Sequence, residues 1–174
     1  MQKPILFNSL NMQSKKEEMF EASTRLRGLV LDATIDIERA IDNYLSNYFC
    51  ATSNKKNELN ELLFFTEKVT LESKRQIFCA IVETHNQAFL NKHPDFLSSI
   101  ERIVPHRNIF AHLELDDSEL AISSSDIELV FKKYAKGKLT SKKYDIEQLK
   151  NLREDIARVK LCLHELVLTL PSLI

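Results

Sequence analysis

Three polar side chains of complementary chemistry stand close together in the segment Pro105-His-Arg-Asn-Ile-Phe-Ala-His112. Arg107 supplies a planar, permanently charged group whose donors suit phosphoryl oxygens. His112 is of the residue type that exchanges protons near neutral pH, as a general acid or base must. Asn108 could orient either the imidazole or a phosphate. Together these groups could exchange protons and neutralise the charge of a phosphate.

An apolar stripe precedes this segment and predicts a helix that leads into it. Its members are Leu97, Ile100 and Val104. If the helix continues past Pro105, the same face next presents Arg107 and Asn108, where the pattern predicts core. A buried guanidinium without a partner is strongly destabilising. This face must therefore open onto a cleft, an acid or another subunit.

A purely structural interpretation of Arg107 competes with the catalytic one. Glu38 and Asp42 form an acidic strip on the predicted first helix, and either could neutralise the guanidinium. Five residues on a straight helix correspond to about 140° of rotation, so Arg107 and His112 need not converge within one chain.

Arg107-Asn108-x-x-x-His112 resembles the Arg-x4-6-His signature of the HEPN domains, in which Asn often follows the Arg. The surrounding pattern is also similar to that family's helical bundle. It has a long first helix of the type Leu29-x-Leu-Asp-x-x-x-x-Ile37, a middle helical pair, the motif at the end of a further helix, an irregular segment and a long final helix. The resemblance covers most of residues 25–170.

This resemblance implies a function. Similar family members are commonly metal-independent endoribonucleases, often toxins or phage-defence proteins, in which two motifs meet across a two-fold dimer. It implies Arg107, Asn108 and His112 as catalytic residues, RNA as substrate, a homodimer, a restraining antitoxin or other partner protein, and no metal or other cofactor. The alternatives are a non-catalytic HEPN-like module that binds a partner protein or a nucleotide, and a plain helical scaffold.

Two basic segments are candidates for RNA binding. The first has no acid between Glu128 and Asp145 and contributes Lys132, Lys133, Lys136, Lys138, Lys142 and Lys143. The second, on a middle helix, is Lys74 and Arg75. Such contacts confer affinity without sequence preference. Alternatively, the lysines of the first segment are solvated and discourage edge pairing of a hairpin. Lys74 and Arg75 would then also be solvated side chains without a ligand.

Composition favours helices. The 174 residues include 2 Gly and 4 Pro, with 44% apolar side chains. So few glycines nearly exclude an all-β sandwich or barrel, and they exclude glycine-rich phosphate loops. The net charge of −1 gives no general attraction to nucleic acid or membrane, so an anionic partner must meet a local patch.

Hydrophobic periodicity predicts the elements. We expect helices near residues 15–50, 57–66 and 70–91, a helix through Val104, an irregular segment over 113–125, a hairpin between Ile127 and Tyr144, and a last helix from Ile146 to Leu170. The expected fold is all-α, an antiparallel HEPN-like bundle of about five helices, with a small β-hairpin before the last helix as a weaker prediction. Residues 1–13 are expected to be an N-terminal extension, and 14–174 a single domain.

The expected compartment is the cytoplasm. Cys50, Cys79 and Cys162 are far apart and form no Cys-x-x-Cys pair, which argues against a disulfide framework. The beginning of the sequence does not resemble a signal peptide, and no apolar run approaches the length of a membrane span.

Overall fold

A computed structural model describes residues 4–66, 68–118, 121–122, 128–135 and 137–170. Within them the chain is mostly helical, with six helices and one small antiparallel sheet, which confirms the mainly helical class but not the count of about five. The helices are α1 (Pro4–Phe49), α2 (Ser53–Leu59), α3 (Leu71–His85), α4 (Gln87–Lys92), α5 (Phe96–His112) and α6 (Ile146–Leu168). A π-helical turn, Asn60–Phe64, follows α2 directly. The strands are β1 (Glu114–Leu115), β2 (Leu129–Ala135) and β3 (Lys138–Tyr144), in that order across the sheet.

The chain divides into two compact units. Unit 1 comprises Met1–Asp32 and Pro105–Arg153, and unit 2 comprises Ala33–Val104 and Glu154–Ile174. Unit 1 therefore contains the first half of α1, the motif segment and the sheet. Unit 2 contains the middle helices.

The helix boundaries differ from the predictions at three places. Helix α2 begins at Ser53, before the expected residue 57. Helix α1 begins at Pro4, earlier than residue 15, so residues 4–13 continue the first helix. The helix expected over 70–91 is divided at Asn86, whose backbone is not helical and whose side chain accepts a hydrogen bond from the Tyr44 hydroxyl at 2.8 Å. Helix α5 passes through Pro105 without ending and reaches His112. The motif is therefore helical throughout.

The predicted hairpin is confirmed. Its two strands pair from Leu129 opposite Tyr144 to Ala135 opposite Lys138. Gly137 in the connection has φ of 72°, a left-handed conformation that glycine adopts without steric cost. The sequence did not predict β1, which lies in the segment expected to be irregular and pairs with β2 through Glu114 opposite Lys132.

The core of unit 2 contains a lysine. Lys74 on α3 is 1% exposed, and its ammonium donates to Glu38 Oε1 at 2.7 Å, Asp42 Oδ2 at 3.0 Å and the Phe64 carbonyl at 2.7 Å. Burial raises the pKa of Asp42, and the contact with Lys74 opposes that rise. A buried ammonium already bound by three oxygens is not accessible to a phosphate. The prediction that Lys74 contacts RNA is therefore wrong, and the two acids proposed as partners for Arg107 instead hold Lys74.

Among the described residues, no helix combines the length and the apolar character needed to cross a membrane.

The buried cation gives a stability prediction. Replacing Lys74 by Met leaves the Asp42 carboxylate buried without its counter-ion, which costs about 3–5 kcal/mol when one partner of a buried pair is removed. We expect Lys74→Met to lower the free energy of unfolding by that amount in urea titrations. The matched control is Lys55→Met, because Lys55 forms an exposed pair with Glu58, and exposed pairs contribute little to stability. Equal losses in the two variants would contradict the role assigned to Lys74.

Candidate functional site

The motif occupies the last two turns of α5 in unit 1, and its orientation is fixed by the apolar residues around it. Ile103 and Phe110 are fully buried and define the inner side of the helix. At about 100° per residue, Asn108 and His112 lie about 140° and 180° from Ile103, on the opposite side, whereas Arg107 lies about 40° from Ile103, on the inner side. Asn108 and His112 are exposed accordingly, and Arg107 is half-buried. The expectation that Asn108 replaces a core residue is wrong, whereas Arg107 lies beside the buried stripe and is partly covered.

Arg107 is held by its neighbour. Its Nη1 donates to Asn108 Oδ1 at 3.3 Å. Among the described residues of unit 1, no carboxylate forms an ion pair with the guanidinium. The structure thus brings Arg107 and Asn108 together, whereas His112 lies one turn beyond Asn108 on the same exposed side.

An aromatic cluster holds the inner side of α5 against the sheet. The ring of Phe110 lies 5.1 Å from that of Phe131 on β2 and 5.0 Å from that of Tyr144 on β3. The rings of Phe131 and Tyr144 are 5.8 Å apart, and all three residues are fully buried. Edge-to-face and tilted contacts of this kind are favourable beyond the area they bury. The cluster therefore determines which side of the helix faces outward.

His106, adjacent to Arg107, points to a different side of the helix. Its Nδ1 lies 2.7 Å from the Tyr144 hydroxyl oxygen. Burial raises the pKa of Tyr144 to about 12, so its hydroxyl stays protonated at neutral pH and can donate to the imidazole. His106 is thus part of the contact between α5 and β3, away from the exposed side of Asn108 and His112.

Arg27 on α1 completes the support of the motif. Its guanidinium donates to the backbone carbonyl of Phe110 at 2.8 Å and also to that of Leu113. It also lies over the ring of Phe131, 5.0 Å from the centroid. The last carbonyls of a helix have no partner within it, so a cation placed there stabilises the helix end. Arg27 therefore anchors the turn of α5 that carries His112.

The register of the hairpin sorts its lysines into two faces. Directly paired residues point to the same side, and successive residues alternate. Lys133, Lys138 and Lys142 share the side of Phe131 and Tyr144, here called the inner face, and all three are exposed. The inner face is the one that contacts α5 through the aromatic cluster. The inner face therefore carries three exposed cations beyond the aromatic cluster, on the side of the hairpin that contacts α5.

The other predicted RNA contacts have acidic partners or are not described. Lys132, on the opposite face, binds Asp116 at 2.8 Å and lowers the pKa of that carboxyl. Arg75 in unit 2 binds Glu72 at 2.6 Å, and its hydrogen bonds lower the pKa of Glu72 to about 2. Lys136 lies outside the described residues. Lys143, also on the opposite face, binds Glu128 at 2.9 Å. Lys133, Lys138 and Lys142 thus remain the exposed members of the predicted set without an acidic partner among the described residues.

The chain matches no family model, no curated protein and no solved structure. In the part of the chain that the structure describes, no group of three or more His, Cys, Asp and Glu side chains is placed to hold a metal ion.

The role of Arg27 gives a prediction for the motif. Arg27→Met removes two charged hydrogen bonds to carbonyls and the contact with Phe131, and we expect it to lower the free energy of unfolding by about 2–3 kcal/mol. The ring signals of His112 should shift in NMR spectra of the folded variant, because the turn that carries His112 loses its anchor. The control is Arg25→Met, an exposed arginine two residues away, for which we expect about 0.5 kcal/mol or less. Unchanged His112 signals in Arg27→Met would contradict the anchoring role.

Proposed function

We propose that this protein is a metal-independent endoribonuclease of the HEPN type. The observation that carries the proposal is the Arg107-Asn108-x-x-x-His112 motif at the end of a helix that is fixed in the core through Ile103 and Phe110. Asn108 and His112 are exposed, as groups that contact a large substrate must be. Arg107 donates a hydrogen bond to Asn108. Biologically, the resemblance favours a toxin or a phage-defence component restrained by a partner protein.

The proposed reaction uses only groups of the RNA itself and side chains of the protein. The ribose 2′-hydroxyl loses a proton to a histidine and attacks the adjacent phosphorus, and the bond to the 5′-oxygen breaks as that oxygen gains a proton. The products are a 2′,3′-cyclic phosphate and a 5′-hydroxyl. His112 serves as the general base or acid. Arg107 neutralises the charge that develops on the phosphoryl oxygens, and Asn108 positions Arg107 through their hydrogen bond.

A homodimer would solve the geometric problem that the spacing raises. Arg107 and His112 are separated by about 140° around α5, so one helix does not direct both at the same atom. Two copies related by a two-fold axis would place both motifs at one cleft, where the Arg107 of one protomer and the His112 of the other serve the same phosphate.

The inner face of the hairpin is the proposed path for the RNA backbone. Lys133, Lys138 and Lys142 are exposed on the side that contacts the motif helix, and no described acid forms an ion pair with them. Lysines of this kind bind phosphates regardless of sequence, which suits a nuclease that takes extended substrates.

The catalytic assignment predicts loss of cleavage in motif variants. With purified protein, mixed RNA and EDTA, we expect cleavage that leaves 2′,3′-cyclic phosphate ends. His112→Ala should slow it by about 10²–10⁴-fold because proton transfer is lost, and Arg107→Ala by about 10²–10³-fold because transition-state charge is no longer neutralised. A substrate with 2′-deoxyribose at the cleaved position should resist the wild-type protein.

Matched controls are exposed residues of the same types. His164→Ala on α6 and Arg25→Ala on α1 should keep wild-type activity, and circular dichroism should show that all variants are folded. Activity that survives in His112→Ala and Arg107→Ala would exclude the proposed site. Absence of cleavage by the wild type would favour the non-catalytic binding module.

Mixed dimers test the shared cleft. Arg107→Ala and His112→Ala chains, each inactive alone, should regain activity when unfolded together and refolded, because some clefts then contain one intact Arg107 and one intact His112. Mixtures that stay inactive, although exchange of chains is demonstrated, would place the whole reaction within one protomer.

The proposed RNA path predicts a change in salt dependence. Lys133→Gln combined with Lys138→Gln should weaken binding of single-stranded RNA and reduce the slope of log K against log[salt] by about 1.4, since each phosphate contact contributes about 0.7. The control pair is Lys55→Gln with Lys68→Gln, two exposed lysines of unit 2, which should leave the slope unchanged. An identical slope in both pairs would exclude the hairpin as the path. Binding is measured with His112→Ala so that the RNA stays intact.

A further inference from the structure

The tip of the hairpin carries two large apolar side chains that the fold leaves uncovered. Tyr134 on β2 is 75% exposed, the highest value among the large apolar side chains of the described residues, and Leu139 on β3 is 52% exposed. The two residues pair directly across the strands, so their side chains are neighbours on the side opposite the inner face, here called the outer face. An exposed ring beside an aliphatic side chain is a surface on which another apolar group can pack.

Both edges of the hairpin are unpaired at its tip. Strand β1 pairs only with Phe131 and Lys132, and within the described residues β3 lies at the edge of the sheet. Beyond Lys132 the hairpin is therefore a two-stranded ribbon, and Lys133 and Tyr134 are both exposed although they lie on different faces. A ligand that runs along the edge of this ribbon can contact both faces at once.

The same tip carries cations. Lys133 and Lys138 directly precede Tyr134 and Leu139 and lie on the inner face, since successive residues of a strand alternate. Both lysines are exposed, and the two strands contain no acidic residue. A complementary ligand has an anionic backbone with flat apolar groups attached to it. Single-stranded nucleic acid has this composition, and proteins bind it with cations for the backbone and aromatic rings for the bases.

The strand register also places Tyr134 near the motif. Glu114 pairs with Lys132 in an antiparallel register, so the end of β1 that follows α5 lies beside the part of β2 that leads to the tip. His112 is two residues before Glu114, and Tyr134 is two residues after Lys132. Extended-chain lengths and the width of one strand pair therefore limit the distance between the Cα atoms of His112 and Tyr134 to about 20 Å. One short strand of RNA can contact both the ring and the motif.

We propose that the tip of the hairpin binds an unpaired stretch of RNA, with one base stacked on the ring of Tyr134. The phosphates next to that base pair with Lys133 and Lys138, and Leu139 contacts the edge of the base. Stacking on a side chain requires a base that is not stacked within a duplex, so the substrate is single-stranded RNA. The inference rests on the proposed RNA path and adds to it the residue that distinguishes unpaired from paired RNA.

Tyr134→Trp gives a direct measurement of stacking, because the chain contains no tryptophan and the emission then reports on this position alone. In a His112→Ala background, which keeps the RNA intact, we expect single-stranded RNA to quench the emission on binding. An abasic oligonucleotide of the same length and an RNA duplex should bind through the lysines without quenching.

The outcomes separate this inference from the RNA path on which it rests. Binding of single-stranded RNA that leaves the emission unchanged would overturn the stacking assignment and keep the lysine path, and so would equal quenching by the abasic strand or the duplex. If none of the three oligonucleotides binds, the inference fails together with the RNA path, and a partner protein becomes the better candidate for the exposed pair.

Variants that keep the hairpin but remove the ring separate stacking from a structural role of Tyr134. Isoleucine is favoured in strands and still packs against Leu139, so Tyr134→Ile should leave the free energy of unfolding nearly unchanged. In the same background we expect it to weaken binding of single-stranded RNA by about 5- to 150-fold. The slope of log K against log[salt] should stay the same, because stacking releases no counter-ions.

Tyr134→Phe and Phe20→Ile are the controls for these variants. Tyr134→Phe retains the ring and should bind RNA like the His112→Ala parent. Phe20→Ile removes a similarly exposed ring from α1 in unit 1 and should also bind like the parent. Equal affinities of Tyr134→Ile and Tyr134→Phe would show that the ring is not used and would contradict the assignment.

Discussion

The attachment of Arg27 to the end of α5 is the interaction on which the motif's geometry depends. One guanidinium binds the carbonyls of Phe110 and Leu113 and covers the ring of Phe131, so a single side chain joins α1, the last turn of α5 and β2. The aromatic cluster prevents α5 from rotating, and Arg27 prevents its last turn from unwinding. The outward direction of Asn108 and His112 follows from these two constraints acting together. Neither constraint involves the motif's own polar groups, which remain available to a substrate.

The sequence predicted those elements whose evidence is local. The stripe from Ile146 onward predicted α6 almost to its ends, and alternation with a glycine turn predicted the hairpin. The sequence left open whether the helix continues past Pro105, and α5 does pass through it, with the buried Ile103 and Phe110 on either side holding the helical conformation. Strand β1 is two residues long, too short to show any alternation, and it exists only because β2 offers an edge.

The candidate site could be predicted only in part, because some of its contacts leave no local pattern in the sequence. Arg107, Asn108 and His112 are identifiable by residue type and spacing. Arg27 looks like any surface arginine of a long helix, because its partners are backbone carbonyls 83 and 86 residues away and carry no sequence signal. Lys74 was interpreted as a surface cation for the converse reason: its polar position gives no indication that Glu38 and Asp42 meet it in the core.

The lysine shared by two acids also constrains how this sequence can change. Lys74 lies 36 residues from Glu38 and 32 from Asp42, yet loss of Lys74 leaves two neighbouring carboxylates without a counter-ion. Replacement of Lys74 alone is therefore more destabilising than joint replacement of the three residues by apolar ones. In diverged copies of this chain the three positions should change as a set. That joint pattern would identify relatives of unit 2 even where the rest of the sequence has lost its similarity.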